Sequence, residues 1–281
     1  MYRHIGIAAA LSPRLEGLLA EVALHLGGQA PRVSLIHAGA PTDGKEARLR
    51  EAAENAGLPA ETEVFWSQGA PDDAILRVVE SEGVDLLVAG ALEKERPMRY
   101  YLGSVAHNLV REAPCSLMLF TEPSPEPEPM RRLLLVTDYS ENSLIALART
   151  VRFAEHEQAE VIHVVRVVSQ YGEAMALADG MKRERAKAYQ TASLAEEQTL
   201  LRDFVDAAGK SKVPIEARVV EGHGGVVVAR LARELEAELL VMPSANQSQH
   251  FFTRLFPSDM EWVLREIPCN LWVIRERLPV G

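Results

Sequence analysis

Apolar residues fall into two kinds of stretch along this chain. Short uninterrupted runs, such as residues 5–10, 84–89 and 133–136, show no alternation of apolar and polar positions, while the segments between them repeat apolar residues at three- and four-residue spacing. Runs of the first kind fit strands buried on both faces, and segments of the second kind fit the helices that cover them. The pattern predicts strands over 4–10, 32–37, 61–66, 84–89 and 115–121, separated by helices over 13–26, 45–56, 71–82 and 104–112. The same order then returns: strands over 132–137, 159–168, 214–220, 238–242 and 269–275, with helices over 140–156, 171–208, 224–236 and 258–266. Strands alternating with helices demand parallel sheets covered on both faces, an α/β fold.

The two series are copies. Residues 111–115 (REAPC) return as residues 265–269 (REIPC), each time between a helix and a final apolar strand, and residues 69–85 align with 222–238 without a gap. His37 in SLIHAG is paired in this alignment with His163 in VIHVV. Internal repetition of this kind marks two versions of one domain, expected over 1–122 and 130–281. The alternating prolines of 123–129 forbid helix and sheet and predict a stiff, extended linker.

The stretch from Gly90 to Phe120 carries the strongest chemical suggestion. A buried strand leads into a long polar loop closed by Gly103 and Ser104, and a helix follows with Ser104 as its expected N-cap. Free backbone N–H groups at such a helix start attract anions, although an ordinary strand–helix–strand crossover has the same outline.

Residues Gly90, Glu93 and Gly103-Ser104, followed by Ala113-Pro114-Cys115, stand in the register of a motif that resembles the universal stress proteins. The resemblance covers both copies, so the chain looks like a tandem member. It implies two five-stranded parallel sheets in the order 3-2-1-4-5, with the two last strands pairing as a pseudo-dimer within the chain. It also implies ATP binding, with an acidic residue after the first strand near the base and ribose and the glycine motif around the phosphates. On that basis Gly90, Gly103, Ser104 and Val105 in the first copy and Asp138 in the second are the expected binding residues.

Each copy departs from the family pattern in a different place. In the first, Ala10 stands where the acid is expected, and Glu93 replaces the middle glycine, offset by Lys94, Arg96 and Arg99. Its helix start, Val105-Ala106-His107, carries no acid. The second copy keeps Asp138, but its loop over 243–257 lacks glycine, and residues 258–261 (SDME) form a capping box that satisfies the helix's own amides and repels phosphate. Nucleotide binding is therefore not expected in the second copy. The apolar side chains Phe251, Phe252, Leu255 and Phe256 fit a lid over the sheet end or a pocket for an apolar ligand.

Composition narrows the functions that remain. Of 281 residues, 47% are hydrophobic and 25% charged, and the net charge is −10, with 11 basic against 17 acidic residues up to Glu122 and 19 against 23 beyond it. Neither half is basic, which argues against nucleic acid or an anionic membrane surface as partner. The run at residues 5–10 follows Arg3 and His4 like a short leader, but its counterpart in the second copy is a core strand, so a cytoplasmic chain is expected. Cys115 and Cys269 occupy equivalent places and read as small core residues rather than as a disulfide or metal pair.

His223 and His250 on loops could be drawn with Asp138 and Ser258 as a hydrolase set, but no nucleophile elbow, Walker A loop or dinucleotide fingerprint accompanies them. The expected action is thus binding without turnover, with no catalytic or metal-ligating residue. Two versions remain: a small-molecule sensor in which the first copy holds ATP, and a scaffold that works on protein partners through its surface and the long helix over 171–208. A homodimer is compatible with either.

Overall fold

The structure is a computed structural model that describes residues 2–28, 30, 32–91, 103–168, 183–222, 224–244, 263–264 and 267–275, with the side chains of 183–192 outside that description. The chain divides into two compact units, Met1–Pro129 with Cys269–Gly281, and Met130–Pro268.

Unit 1 contains strands β1 (His4–Ala8), β2 (Arg32–Ala38), β3 (Glu63–Ser67), β4 (Leu86–Gly90) and β5 (Ser116–Phe120). They pair in the order β3-β2-β1-β4-β5, every pair parallel. Helices α1 (Leu15–Leu26), α2 (Asp43–Asn55), α3 (Pro71–Ser81) and α4 (Ser104–Glu112) connect them. The central strands are buried along almost their whole length, as their unbroken apolar runs require. Fold class and strand order are those expected from the sequence, but the strand count is not five in each copy.

The difference lies in the last strand. β10 (Asn270–Ile274) belongs to unit 1, where it runs antiparallel to β5 with Trp272 opposite Met118. Trp272 Nε1 donates to the Tyr2 hydroxyl at 3.1 Å, and the Thr121 amide donates to Asn270 Oδ1 at 3.0 Å. Arg275 just beyond the strand donates to the Ala113 carbonyl at 2.6 Å and to that of Val110, which caps the C-terminus of α4 with a cation.

Unit 2 holds β6 (Arg132–Val136), β7 (Val161–Val168), β8 (Ile215–Glu221) and β9 (Leu239–Pro243), parallel in the order β9-β6-β7-β8. Its helices are α5 (Glu141–Glu157), α6 (Arg183–Ala207) and α7 (Gly224–Glu234). Leu201 and Phe204 of α6 are buried.

One device recurs in both units. Asp85 accepts the Arg3 and His4 amides at 2.8 and 2.9 Å, and Glu238 accepts those of Arg131 and Arg132 at 2.6 and 2.8 Å. A carboxylate opening the fourth strand thus clamps the start of the first, at the residues the gapless alignment equates. The histidine equivalence fails by contrast. Ala8 faces Ile36 in unit 1 and Val136 faces Val165 in unit 2, so His37 corresponds to Arg166 and His163 to Ser34.

The linker begins against unit 1. α1 approaches it so closely that a side chain at Gly17 would meet the Pro123 carbonyl oxygen at 2.6 Å. The Ser124 amide donates to Glu21 Oε1 at 2.9 Å, and the other Glu21 oxygen lies 2.9 Å from the buried His25 Nε2. Both cysteines are outside any disulfide; Cys115 is buried and Cys269 half-buried.

Candidate functional site

A cavity of about 420 Å³ opens at the carboxyl ends of β1, β2 and β4 in unit 1. That is the edge where open α/β sheets receive ligands, and the volume lies in the range of small-molecule sites. The run Ala8-Ala9-Ala10-Leu11 floors it, with Leu15 and Leu18 of α1, Ile75 of α3 and Leu109 of α4 as further apolar wall. Three small residues at the end of β1 leave the space that larger side chains would fill.

Gly90 and Val105 line this cavity, from opposite sides of residues 92–102, which lie outside the described residues together with Glu93, Lys94, Arg96 and Arg99. Around Gly90, no described atom comes within 4 Å of where a Cβ would stand. Gly103, with φ −61° and ψ 152°, is the N-cap of α4, and Ser104 is the first helical residue; the expected Ser104 cap is corrected accordingly. The N-cap, Gly103, has no side chain with which to cap this helix start, and the first turn holds no acid, so among the described residues the amides that open α4 beside Val105 suit an anion.

The charged side chains of the cavity are basic, and Ser12 adds a neutral hydroxyl. Arg14, Lys45 and His37 line it, and no carboxylate does among the described residues. Arg14 Nη1 donates to the Ala91 carbonyl at 3.3 Å, which ties α1 to the turn after β4. Lys45 is set by the Thr42 N-cap of α2, whose hydroxyl accepts the Lys45 amide. His37 is only 8% exposed; its Nδ1 lies 2.7 Å from the Ala9 carbonyl oxygen, and its ring meets Trp66 edge to face at 5.0 Å. The sequence places His37 in a strand, in a packing or hydrogen-bonding role, and Lys45 at the start of the helix expected over 45–56. Only the positive φ of Gly39 (147°), which turns the chain after β2, brings the two together.

Of the residues expected around phosphate, Gly90 and Val105 line the cavity, and Gly103 and Ser104 stand beside Val105 at the start of α4. The carboxylate expected to accept from the base or ribose is missing, because Ala10 stands there.

Unit 2 presents other chemistry at the same edge. Asp138 Oδ1 accepts from Ser143 Oγ at 2.6 Å and from the Ser140 amide at 3.0 Å, so this carboxylate organises the start of α5. Tyr139, in the left-handed region at φ 63°, sits where unit 1 has Leu11. Its hydroxyl donates to Glu197 Oε2 of α6 at 2.9 Å, the Arg166 guanidinium lies 5.1 Å over its ring, and Phe204 packs at 5.7 Å. Burial, then the hydrogen bond and charge of Glu197, push the Tyr139 hydroxyl well above its ordinary value, so it remains a donor. The sequence carried no signal for this cluster, since its members lie 27 and 31 residues apart along the chain. His223, His250 and residues 258–261 fall outside the described residues, as does the start of the long helix.

Among the described residues, no helix is long and apolar enough to cross a membrane, and no group of three or more His, Cys, Asp or Glu is placed to hold a metal ion.

These features define an α/β protein with a parallel sheet in each of two units and a cavity at the strand ends of unit 1. The universal stress protein family model matches residues 26–121 and 129–275, and the chain belongs to that family. It is 31% identical over 86 residues to "Universal stress protein MJ0531" of Methanocaldococcus jannaschii, a match that spans 30% of this chain and about half (49%) of that relative. Among solved structures, a universal stress protein from Archaeoglobus fulgidus is similar with a TM-score of 0.67 at 15% identity, covering 98% of each chain. A putative universal stress protein from Pseudomonas aeruginosa gives the same TM-score at 17% identity, covering 98% of this chain and 94% of the other. At these identities the two structures speak for the fold alone. Family membership makes this a stress-response protein with a fold suited to binding small ligands.

Proposed function

We propose that the protein acts in the stress response by binding ATP in unit 1, without turning it over, and that unit 2 does not bind nucleotide. The observation that supports this reading is the cavity itself: apolar walls suited to a base, leading to a helix start with a glycine N-cap beside Val105 and to Gly90. Gly103, Ser104 and Val105 would hold phosphate through backbone amides; ATP would supply the negative charge that answers them. Asp138, the fifth expected residue, takes no part in this reading because Ser143 and Ser140 already engage it. The two family domains span 1–122 and 130–281, joined by 123–129, with the last strand of the second contributed to the sheet of the first. Such a protein works in the cytoplasm.

Isothermal titration with ATP and magnesium tests the proposal. Binding in the submillimolar range is expected, weakened by at least about tenfold in Val105→Asp, which puts a carboxylate at the helix start, at the position where the sequence of the second copy has Asp259. An absence of heat in the parent chain sinks it. In that event the surface-acting scaffold takes its place.

A further inference from the structure

The end of the unit 1 cavity under β2 contains a polar pair that the family resemblance does not assign. The Ala9 carbonyl can only accept, so the 2.7 Å contact fixes the hydrogen of neutral His37 on Nδ1. Nε2 is then left with a lone pair, and among the described residues no hydrogen bond reaches it. His37 Nε2 and Lys45 Nζ lie 3.6 and 3.8 Å from where a Cβ on Gly39 would stand, so the two nitrogens flank the same side of Gly39, and glycine there leaves both clear of a side chain. With Gly39 at φ 147°, any other residue there is strained, so the space is retained by the turn that creates it.

A ligand atom bridging this pair has to donate to Nε2 and accept from the Lys45 ammonium. A carboxylate or phosphate oxygen only accepts, and an ammonium or amide N–H only donates. A hydroxyl does both. We infer that His37 and Lys45 read a sugar hydroxyl of the ligand, and so take over from the side of β2 the recognition lost with the carboxylate at Ala10. This rests on the reading of unit 1 as the nucleotide-binding unit, and it assigns the ribose end of the ligand to β2.

The test uses the full chain, with Trp66 fluorescence as reporter because its ring abuts His37. ATP and 2′,3′-dideoxy-ATP are titrated against the parent chain, Lys45→Met and His37→Phe. Lys45 is half exposed on a helix, so its replacement leaves the fold intact even if His37→Phe does not. Loss of the hydroxyls leaves Nε2 unpaired, and the dideoxy compound should bind the parent at least about tenfold more weakly. In Lys45→Met that preference should fall to about twofold or less, because ATP weakens while the dideoxy compound does not. Equal affinity for both nucleotides in the parent overturns the inference and leaves ATP binding standing. A parallel loss of both nucleotides in Lys45→Met also overturns it, by showing that Lys45 holds phosphate. If neither nucleotide binds the parent, the reading of unit 1 fails with it.

Discussion

The carboxyl ends of β1 and β6 are the same place in two copies of one fold, and they have been put to opposite uses. In unit 1 the residues there are Ala10 and Leu11, with His37 at the end of β2, and a cavity of about 420 Å³ remains above them. In unit 2 the equivalent positions hold Asp138, Tyr139 and Arg166, which are engaged within the unit: Asp138 by α5, Tyr139 by a hydrogen bond to Glu197, and Arg166 by an ion pair with the same carboxylate at 3.5 Å. A strand end is free to diverge in this way because the sheet does not depend on it. What the two units share, the carboxylate clamp on the first strand, lies at the other end of the same strands.

The clamp is the feature whose loss should cost most. Replacing Asp85 by Ala leaves the Arg3 and His4 amides without their acceptor, and Glu238→Ala does the same for Arg131 and Arg132. Each change should lower stability by about 1–3 kcal/mol in urea denaturation. The shared-scaffold argument requires costs of the same size in the two units. A large effect at one position and none at the other would show that only one copy still uses the device.

A smaller effect is expected where the units differ. Tyr139→Phe keeps the ring against Phe204 and Arg166 but removes the hydroxyl from Glu197, at a cost of about 0.5–1.5 kcal/mol. The ATP titration of unit 1 should be unchanged, because Tyr139 belongs to the other unit. If Tyr139→Phe altered that titration, the division of labour between the copies would be wrong.

How much of this was legible in the sequence follows from the range of the interactions involved. Strand runs, helix periods and the gapless alignment of 69–85 with 222–238 are local or self-comparing signals, and they carried the alternating elements and the parallel sheet; the order 3-2-1-4-5 came from the family resemblance and holds in unit 1. The clamp lay within that alignment, as Asp85 against Glu238. The histidines misled because a shared letter in a strand says nothing about register: His163 sits three residues before the position that matches His37, which places it opposite Leu134 rather than past the end of β6. Ser104 misled for a related reason, since a serine next to a glycine does not reveal which of the two stands outside the helix. The hydroxyl-reading pair needed a turn at positive φ to join residues 37 and 45, and the filling of unit 2 needed Glu197 to arrive on α6. Contacts of that kind leave no period in the chain.

The smallest expected effect concerns two of the buried histidines, His4 in unit 1 and His163 in unit 2, which serve different neighbours. His4 donates from Nδ1 to the Glu82 carbonyl at 3.1 Å and accepts from Ser34 Oγ at 2.8 Å, an arrangement for a neutral ring. His163 in unit 2 has only Glu216 Oε2 beside Nδ1, at 3.2 Å, on a side chain that is 63% exposed. Burial, as the leading cause, lowers the pKa of each, with Arg32 adding to it for His4 and Arg218 for His163. In the unfolded chain both titrate near their ordinary value of about 6.5. Between that value and their lowered folded values, the unfolded state binds more protons, so stability rises with pH there. The contribution is complete above about pH 6.5 and is lost as the pH falls below it. Calorimetry at about pH 7.5 and about pH 5.5 should therefore show the melting temperature dropping by a few degrees on acidification. Imidazole resonances should place both rings below 6.5 in the folded protein, and His163→Gln should make the acid drop smaller. A chain whose melting temperature held or rose on acidification over that interval would show that the carboxylates around the rings outweigh burial, in both copies at once.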